Sequence, residues 1–388
     1  MLNSLDLKGP PSSHRVVVAM SGGVDSSVVA ALLKKADYDV VGVTLRLVGC
    51  AITGGSSSCA DEAVMSARRV ASLLDIHHHV VDLEDRFNKL VVDYFTDSYV
   101  AGETPVPCVI CNERVKLAGL FESAEIMNAS IVATGHYVGS RLMSNGRRAL
   151  FRPIDEMRDQ SYFLCAISQD WIDRLRFPLE GMSKSETRAM AHKMGLPVFA
   201  KRDSQDICFI PSGNYVDLVK RLRPNSIKPG NILHVDGRVL GQHDGIASFT
   251  VGQRRGIKIA SDRPLYVVRL KPETDEVIVG YKEDLFSKRL ILRNFNWIGD
   301  NSVESLVSKK IDVWVRIRSR CDPIPASLSF DESCKPVVDL LHGEYGVAIG
   351  QACAFYENGD KQARVLGGGI IHFASSGAGH SREEVASS

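Results

Sequence analysis

The chain has 388 residues, 44% of them hydrophobic and 24% charged, a balance that supports two or three buried cores and excludes a disordered chain. The first 15 residues hold no apolar run for a signal peptide, and nowhere do about 18 apolar residues follow one another, so the expectation is a cytoplasmic protein with no membrane span. Nine cysteines, an odd number spread over a long chain, do not form the even, dense framework of a small secreted domain, and reduced thiols are expected.

From residue 15 to 135 short β-branched runs alternate with helical patterns: RVVVAM, SVVAALLKKA, VVGVTLRL, a helix near DEAVMSARRVASLLD, HHHVVDL, helices near 84–100 and 112–127, and SIVATG. Such alternation predicts an α/β domain with a parallel sheet, whose ligands sit at the carboxyl ends of the strands. In SKSETRAMAHKMG (183–195), Ser183 and Glu186 form the signature of a capping box and Gly195 a terminator. Beyond about 215 the pattern changes to short strands, with hairpin turns expected at Asp236-Gly237 and Asp244-Gly245. Residues 216–271 carry 11 Lys or Arg against 4 Asp or Glu, and the rest of the chain 36 against 42. Either this is a solvated basic face or it is where a phosphate backbone binds, with Arg254 and Arg255 the first candidates. KIDVWVRIRS, PASLSF and GVAIGQACAFYENG predict a closing β-barrel. The expected boundaries are 1–215, 216–285 and 286–373, with a disordered tail over 374–388.

Ser21-Gly22-Gly23-Val24-Asp25-Ser26 stands directly after a strand and before a helix. Glycines there let several N–H groups point at one anion, and the helix N-terminus adds partial positive charge, so the loop is expected to bind phosphate. The plain alternative is a glycine turn opening a helix. The lysine of the Walker loop is missing. SGGVDS instead resembles the pyrophosphatase loop (PP-loop) of enzymes that cleave ATP between its α and β phosphates, such as GMP, NAD and argininosuccinate synthetases and tRNA thiolases. That resemblance implies Mg²⁺ near Asp25 and pyrophosphate near the Ser21 and Ser26 hydroxyls.

Two segments add cysteines: GETPVPCVICN (102–112), with Cys108 and Cys111, and KRDSQDICF (201–209), with Cys208. A thiol at a helix start, or one preceded by Lys201 and Arg202, is expected to favour the thiolate, although a single cysteine is more often a buried core residue. In order along the chain, SGGVDS, TPVPCVICN, ATGHYV, RDQSYFL, SQDICFIP, GQHDGI, FTVGQRRG and VRIRSR make residues 14 to 373 similar to the bacterial tRNA-specific 2-thiouridylases. The resemblance implies a PP-loop ATP pyrophosphatase domain (adenine nucleotide alpha hydrolase-like), a small basic β-rich domain and a C-terminal β-barrel. It also implies ATP-dependent replacement of the C2 oxygen of a wobble uridine by sulfur, in the anticodon loop of tRNA. Cys111 would be the nucleophile and Cys208 the persulfide carrier, with sulfur supplied by a cysteine desulfurase or relay protein. Ala19, Met20, Ser21, Gly22, Gly23, Val24, Asp25, Ser26, Leu45 and Gly135 fall at ATP positions. His136, Arg158, Asp159, Gln160, Arg318, Ser319 and Gln351 fall at tRNA positions, and Val106, Pro107 and Cys108 lie around the target base.

One departure is plain: many members of that family have TPNPD where this chain has TPVPC, so an aspartate suited to proton transfer is replaced by Cys108. Some related thiolases hold an iron–sulfur cluster with three cysteines, so a cluster on Cys108, Cys111 and Cys208 is the alternative to the persulfide route. Zinc lacks a second cysteine pair. His77 to His79 are expected at a strand edge and Trp171, Trp297 and Trp314 in cores. Cys50, Cys59, Cys165, Cys321, Cys334 and Cys353 are expected to be structural. Two rival functions remain at this stage: an amidating ligase with the same loop, and a non-catalytic RNA-binding protein.

Overall fold

A computed structural model of the chain describes residues 3–49, 58–201, 207–210, 214–300 and 302–375. Its contacts separate two units: Met1–Val92 with Cys108–Gly213 and Asp360–Leu366, and Asp93–Pro107 with Asn214–Gly359 and Gly367–Ser388.

In the first unit, β-branched runs form an all-parallel sheet in the order β3-β2-β1-β4-β7, made of His77–Asp82, Asp39–Arg46, Arg15–Ala19, Ile131–Ala133 and Leu175–Arg176. The central β1 is apolar on both faces because both are covered. Val16 and Val18 join Val28, Val29, Val40, Ala67, Val70 and Ala191 in one buried cluster, and Val17 is equally buried on the other side. Helix Lys184–Lys193 starts where the sequence signals it: the Ser183 hydroxyl accepts from the Glu186 N–H and the Glu186 carboxylate accepts from the Ser183 N–H. The histidine run lies on the edge strand β3, with His78 Nε2 2.8 Å from the Thr44 hydroxyl.

The second unit contains a four-stranded sheet and a closed six-stranded barrel. The sheet, β10-β11-β8-β9 (Tyr266–Lys271, Glu276–Gly280, Gly230–His234, Val239–His243), packs over Ile232, Phe249, Val267 and Val277. The Asp236-Gly237 turn joins β8 to β9 as a hairpin, with Gly237 at φ 92°. Asp244-Gly245 does not make a second hairpin. A 3₁₀ turn, Ile246–Ser248, follows because Ile246 and Phe249 enter the core of the sheet instead of alternating along a strand. A helix unforeseen in the sequence, Tyr215–Leu222, is capped by Asn214 and stacks Tyr215 on Tyr99. Its signal was present as apolar residues at 215, 218, 219 and 222. The barrel runs β12-β15-β14-β13-β16-β17 (Phe286–Trp297, Pro336–Tyr345, Ile324–Phe330, Ile311–Arg316, Ala352–Tyr356, Val365–Ala374), closed by pairing of the first with the last. Ala374 is thus a barrel residue and not the start of a tail, and residues 376–388 lie outside the described residues. The three tryptophans are half-buried and not core. Cys165 and Cys353 are buried, Cys321 is half-buried and Cys334 exposed, while Cys50 and the side chain of Cys59 lie outside the described residues.

Candidate active site

The sheet order reverses at β1: the chain moves outward to β2 and β3, then returns to place β4 on β1's other side. The crevice at the carboxyl ends of β1 and β4 is where such sheets hold ligands. Ala19 ends β1 and Met20 leads into the loop, its carbonyl accepting from the Thr44 hydroxyl at 2.6 Å. Ser21 N–H donates to Ser26 Oγ at 3.1 Å, and the two hydroxyl oxygens are 3.2 Å apart. Gly22 has φ 70°, and a Cβ on it would meet the Ala63 carbonyl oxygen at 2.2 Å, so only glycine fits. Gly23 opens helix Val24–Lys35 with no side-chain cap, which leaves the N-terminal N–H donors for an anion. Gly135, just after β4, packs so closely that a Cβ would stand 2.8 Å from Ser26 N. Leu45 lies on β2, one strand over.

Asp25 is already engaged. Lys184 Nζ donates to its two carboxylate oxygens at 2.6 and 2.7 Å, and the Tyr137 hydroxyl lies 3.0 Å from Oδ1. A lysine from a helix 159 positions along the chain thus reaches the loop, with the Lys184 N–H fixed to Asp155 at 2.8 Å.

Cys108, Cys111 and Cys208 come together in the first unit, each close enough for its charge to act on the others. All three are free thiols. The expectation of thiolate-favouring surroundings fails for two of them. The helix starts at Pro107, so Cys108 sits at its beginning and Cys111 at its fifth residue. Burial pushes the Cys111 thiol up to about 11, against the opposing pull of the Lys116 charge. Cys208 is exposed as a residue, yet atoms packed around its sulfur raise its pKa as well, again with Lys116 opposing. Lys201 is turned to Glu62 at 3.5 Å, and Arg202 lies outside the described residues. Among the described residues, no group of three His, Cys, Asp or Glu side chains is disposed to hold a metal ion.

His136 follows Gly135, with its Nδ1 2.9 Å from the Thr134 hydroxyl. Burial, assisted by Lys116, lowers its pKa to about 3, so the ring is neutral at physiological pH and can recognise a base without competing for its charge. Arg158 ends a 3₁₀ turn. Gln160 Oε1 accepts from the Tyr137 N–H at 2.8 Å. Asp159 is not a surface contact: its carboxylate is buried against Arg152 at 2.9 Å and accepts from the Ser161 N–H. Asp159→Ala should lower stability by about 3–5 kcal/mol, because it strands a buried guanidinium, and thermal unfolding checks this.

In the second unit, Gln351 Nε2 donates to the Thr104 carbonyl at 2.9 Å, and Thr104 N–H donates to the Ile349 carbonyl. Arg293 clamps Glu103 at 2.5 and 2.8 Å. These bonds fix the segment that leads to the buried Val106 and to Pro107. Arg318 is held on the Tyr345 and Gly346 carbonyls, and the Ser319 carbonyl accepts from Arg316. Arg254 and Arg255 are exposed on a turn that Gln253 braces through the Arg255 carbonyl.

Three sequence families match in chain order: the tRNA methyl transferase HUP domain over residues 14–212, the tRNA methyl transferase PRC-barrel domain over 217–281 and the aminomethyltransferase beta-barrel domain over 287–371. The tRNA-specific 2-thiouridylase MnmA of Rhodopseudomonas palustris (strain BisB18) is 53% identical over 97% of this chain and 94% of its own length. The chain belongs to the tRNA-specific 2-thiouridylase family. The enzyme of the same name from Bartonella bacilliformis is 53% identical over 95% of each chain, and that from Bradyrhizobium diazoefficiens is 52% identical over 97% of this chain and 96% of its own.

Against the family pattern, two side chains went unnoticed in the sequence. Lys184 carries no local mark, since the loop it reaches is 159 positions away. Lys116 stands five places after Cys111, which on an ordinary helix is about 140° around and facing away.

Proposed function

We propose that this chain is an ATP-dependent tRNA-uridine 2-sulfurtransferase: it adenylates the C2 oxygen of a wobble uridine and then replaces that oxygen with sulfur. The carrying observation is full-length membership of the 2-thiouridylase family at 53% identity over 97% of the chain. The uncapped PP-loop and the gathering of Cys111 and Cys208 support it. The resemblance to α,β-cleaving enzymes makes AMP and pyrophosphate the products from ATP. When bound, Mg²⁺ supplies charge to neutralise the phosphates, and the Asp25 carboxylate is the group suited to hold it. The open N–H donors at Gly22 to Ser26 receive pyrophosphate oxygens, and Lys184, once released by Asp25, adds a further positive charge beside them. The uridine must be unstacked from the anticodon loop to reach these groups, and neutral His136 and Gln160 stand among the residues assigned to it.

Sulfur arrives on Cys208 as a persulfide from a cysteine desulfurase or a relay protein. Its terminal sulfur bonds to C2 while the C2–O bond breaks and AMP leaves with the electron pair. The Cys111 thiolate then attacks Cys208 Sγ, and the S–S bond breaks with its pair passing to the sulfur on C2. This leaves 2-thiouridine and a Cys111–Cys208 disulfide, which an external thiol reduces.

Incubation with tRNA, ATP, Mg²⁺ and a sulfur source, followed by mass spectrometry of the nucleosides, tests the reading. 2-Thiouridine with AMP and pyrophosphate is expected. ADP and phosphate, or turnover of a small acid without tRNA, would replace it with another ligase. The basic segment 216–271 is assigned to the RNA backbone. Arg254→Ala with Arg255→Ala should weaken tRNA binding and flatten its logarithmic salt dependence by about 0.7 to 0.9 per lost contact, measured by titration at several ionic strengths.

A further inference from the structure

The helix that carries Cys111 changes its winding directly after it. Residues Asn112–Lys116 form a π-turn, and the Leu117 N–H bonds back to the Asn112 carbonyl, five residues away. In regular α winding Lys116 would lie about 140° around from Cys111. One turn of i→i+5 bonding brings the fifth residue back over the first. Lys116 is accordingly half-buried, with its charge acting on Cys111, Cys208 and Cys108, and on His136.

No carboxylate stands within ion-pair distance of Lys116 among the described residues, and its ammonium makes no hydrogen bond there. An enclosed cation without a counter-ion is costly. Among the described residues, the groups its charge acts on are three thiols and a neutral imidazole. The only anions those groups can become are sulfur anions.

We propose that Lys116 is the positioning counter-charge of the sulfur-transfer step: from its π-turn it holds the anionic sulfur of Cys111 and of the Cys208 persulfide while sulfur passes to the activated base. The inference rests on the thiolation reading above. Its covalent steps are those already given. Lys116 exchanges no atom or electron, and its positive charge is matched first by the perthiolate, then by the Cys111 thiolate, then by the sulfur leaving on C2.

Two readouts on the full-length protein test it, each with wild type, Lys116→Met and Lys116→Arg. In single turnovers with tRNA, ATP–Mg²⁺ and protein preloaded by polysulfide, Lys116→Met should form 2-thiouridine about 100-fold more slowly. Release of pyrophosphate should stay at the wild-type rate, and Lys116→Arg should recover most of the loss. In resting protein, without tRNA or ATP, alkylation of Cys111 by iodoacetamide should slow by about tenfold in Lys116→Met and recover in Lys116→Arg, as one unit of thiol pKa would give. Wild-type rates of thiolation and alkylation in Lys116→Met overturn the inference. So does parallel loss of adenylation, thiolation and melting temperature in both variants, which marks a structural lysine. If the wild type makes no 2-thiouridine while alkylation still depends on Lys116, the thiolation reading falls and the charge placement stands.

Discussion

Cys208→Ser should abolish 2-thiouridine formation while adenylated tRNA still accumulates. A serine hydroxyl cannot carry a persulfide, and adenylation needs the phosphate loop, where Ser21 is bonded to Ser26 and Asp25 to Lys184 and Tyr137. Cys111→Ser should stop the reaction later, with sulfur on the base still joined to Cys208. Cys108→Ser should keep substantial activity, and Cys108→Asp, which restores the commoner family residue, should be tolerated beside Lys116. Iron, acid-labile sulfide and thiolation measured on the anaerobically purified wild type and the three serine variants separate this from the cluster route. Activity that rises with bound iron and collapses in Cys108→Ser would overturn the persulfide scheme and the placement of the three sulfurs together.

Asp25→Ala should lower tRNA-dependent pyrophosphate release by about 10²–10³-fold, the range for losing one preorganised group that stabilises a transition state's charge, while tRNA binding persists. The proposed reaction gives the carboxylate two tasks. It is the partner of Lys184, at 2.6 and 2.7 Å, and in the proposed reaction it is also the carboxylate for the metal. Asp25→Asn keeps the shape and the hydrogen-bonding reach to Tyr137 but not the charge, and should be nearly as inactive. Pyrophosphate release by a coupled assay and tRNA retention on filters measure the two functions separately. Normal release in Asp25→Ala would remove it from the reaction.

The parallel sheet and the barrel were legible because their signals are local and periodic: β-branched runs separated by helical repeats, then short alternating strands. The phosphate loop was legible because six consecutive residues carry it. The Asp244-Gly245 hairpin misread a turn that sends Ile246 and Phe249 into a core, which residue type alone does not distinguish from a strand return. The thiol environment was read with the wrong sign. Cations nearby in sequence were given the influence that burial and Lys116 exert in space. Asp159 matches a tRNA position by motif, yet its partner Arg152 turns it inward, and no pattern along the chain shows which way a carboxylate points. Lys116 was hidden by a π-turn, since helical bookkeeping at 3.6 residues per turn places it on the wrong face.

The first unit is finished by residues from near the far end of the chain. Arg152 N–H donates to the Ala363 carbonyl, its guanidinium donates to the Asp360 carbonyl, Phe151 bridges Arg364, and Lys361 pairs with Glu156. During synthesis, 153 residues must emerge between Gly213 and Leu366, which at about 5–20 residues per second is roughly 8–30 s of waiting. Over that interval the body with the phosphate loop and cysteines lacks its last strap, and Arg152 lacks its partners on Asp360 and Ala363. A gene cut after codon 213 would leave the same gap permanently, with both reactive thiols present and the segment that pins Arg152 gone.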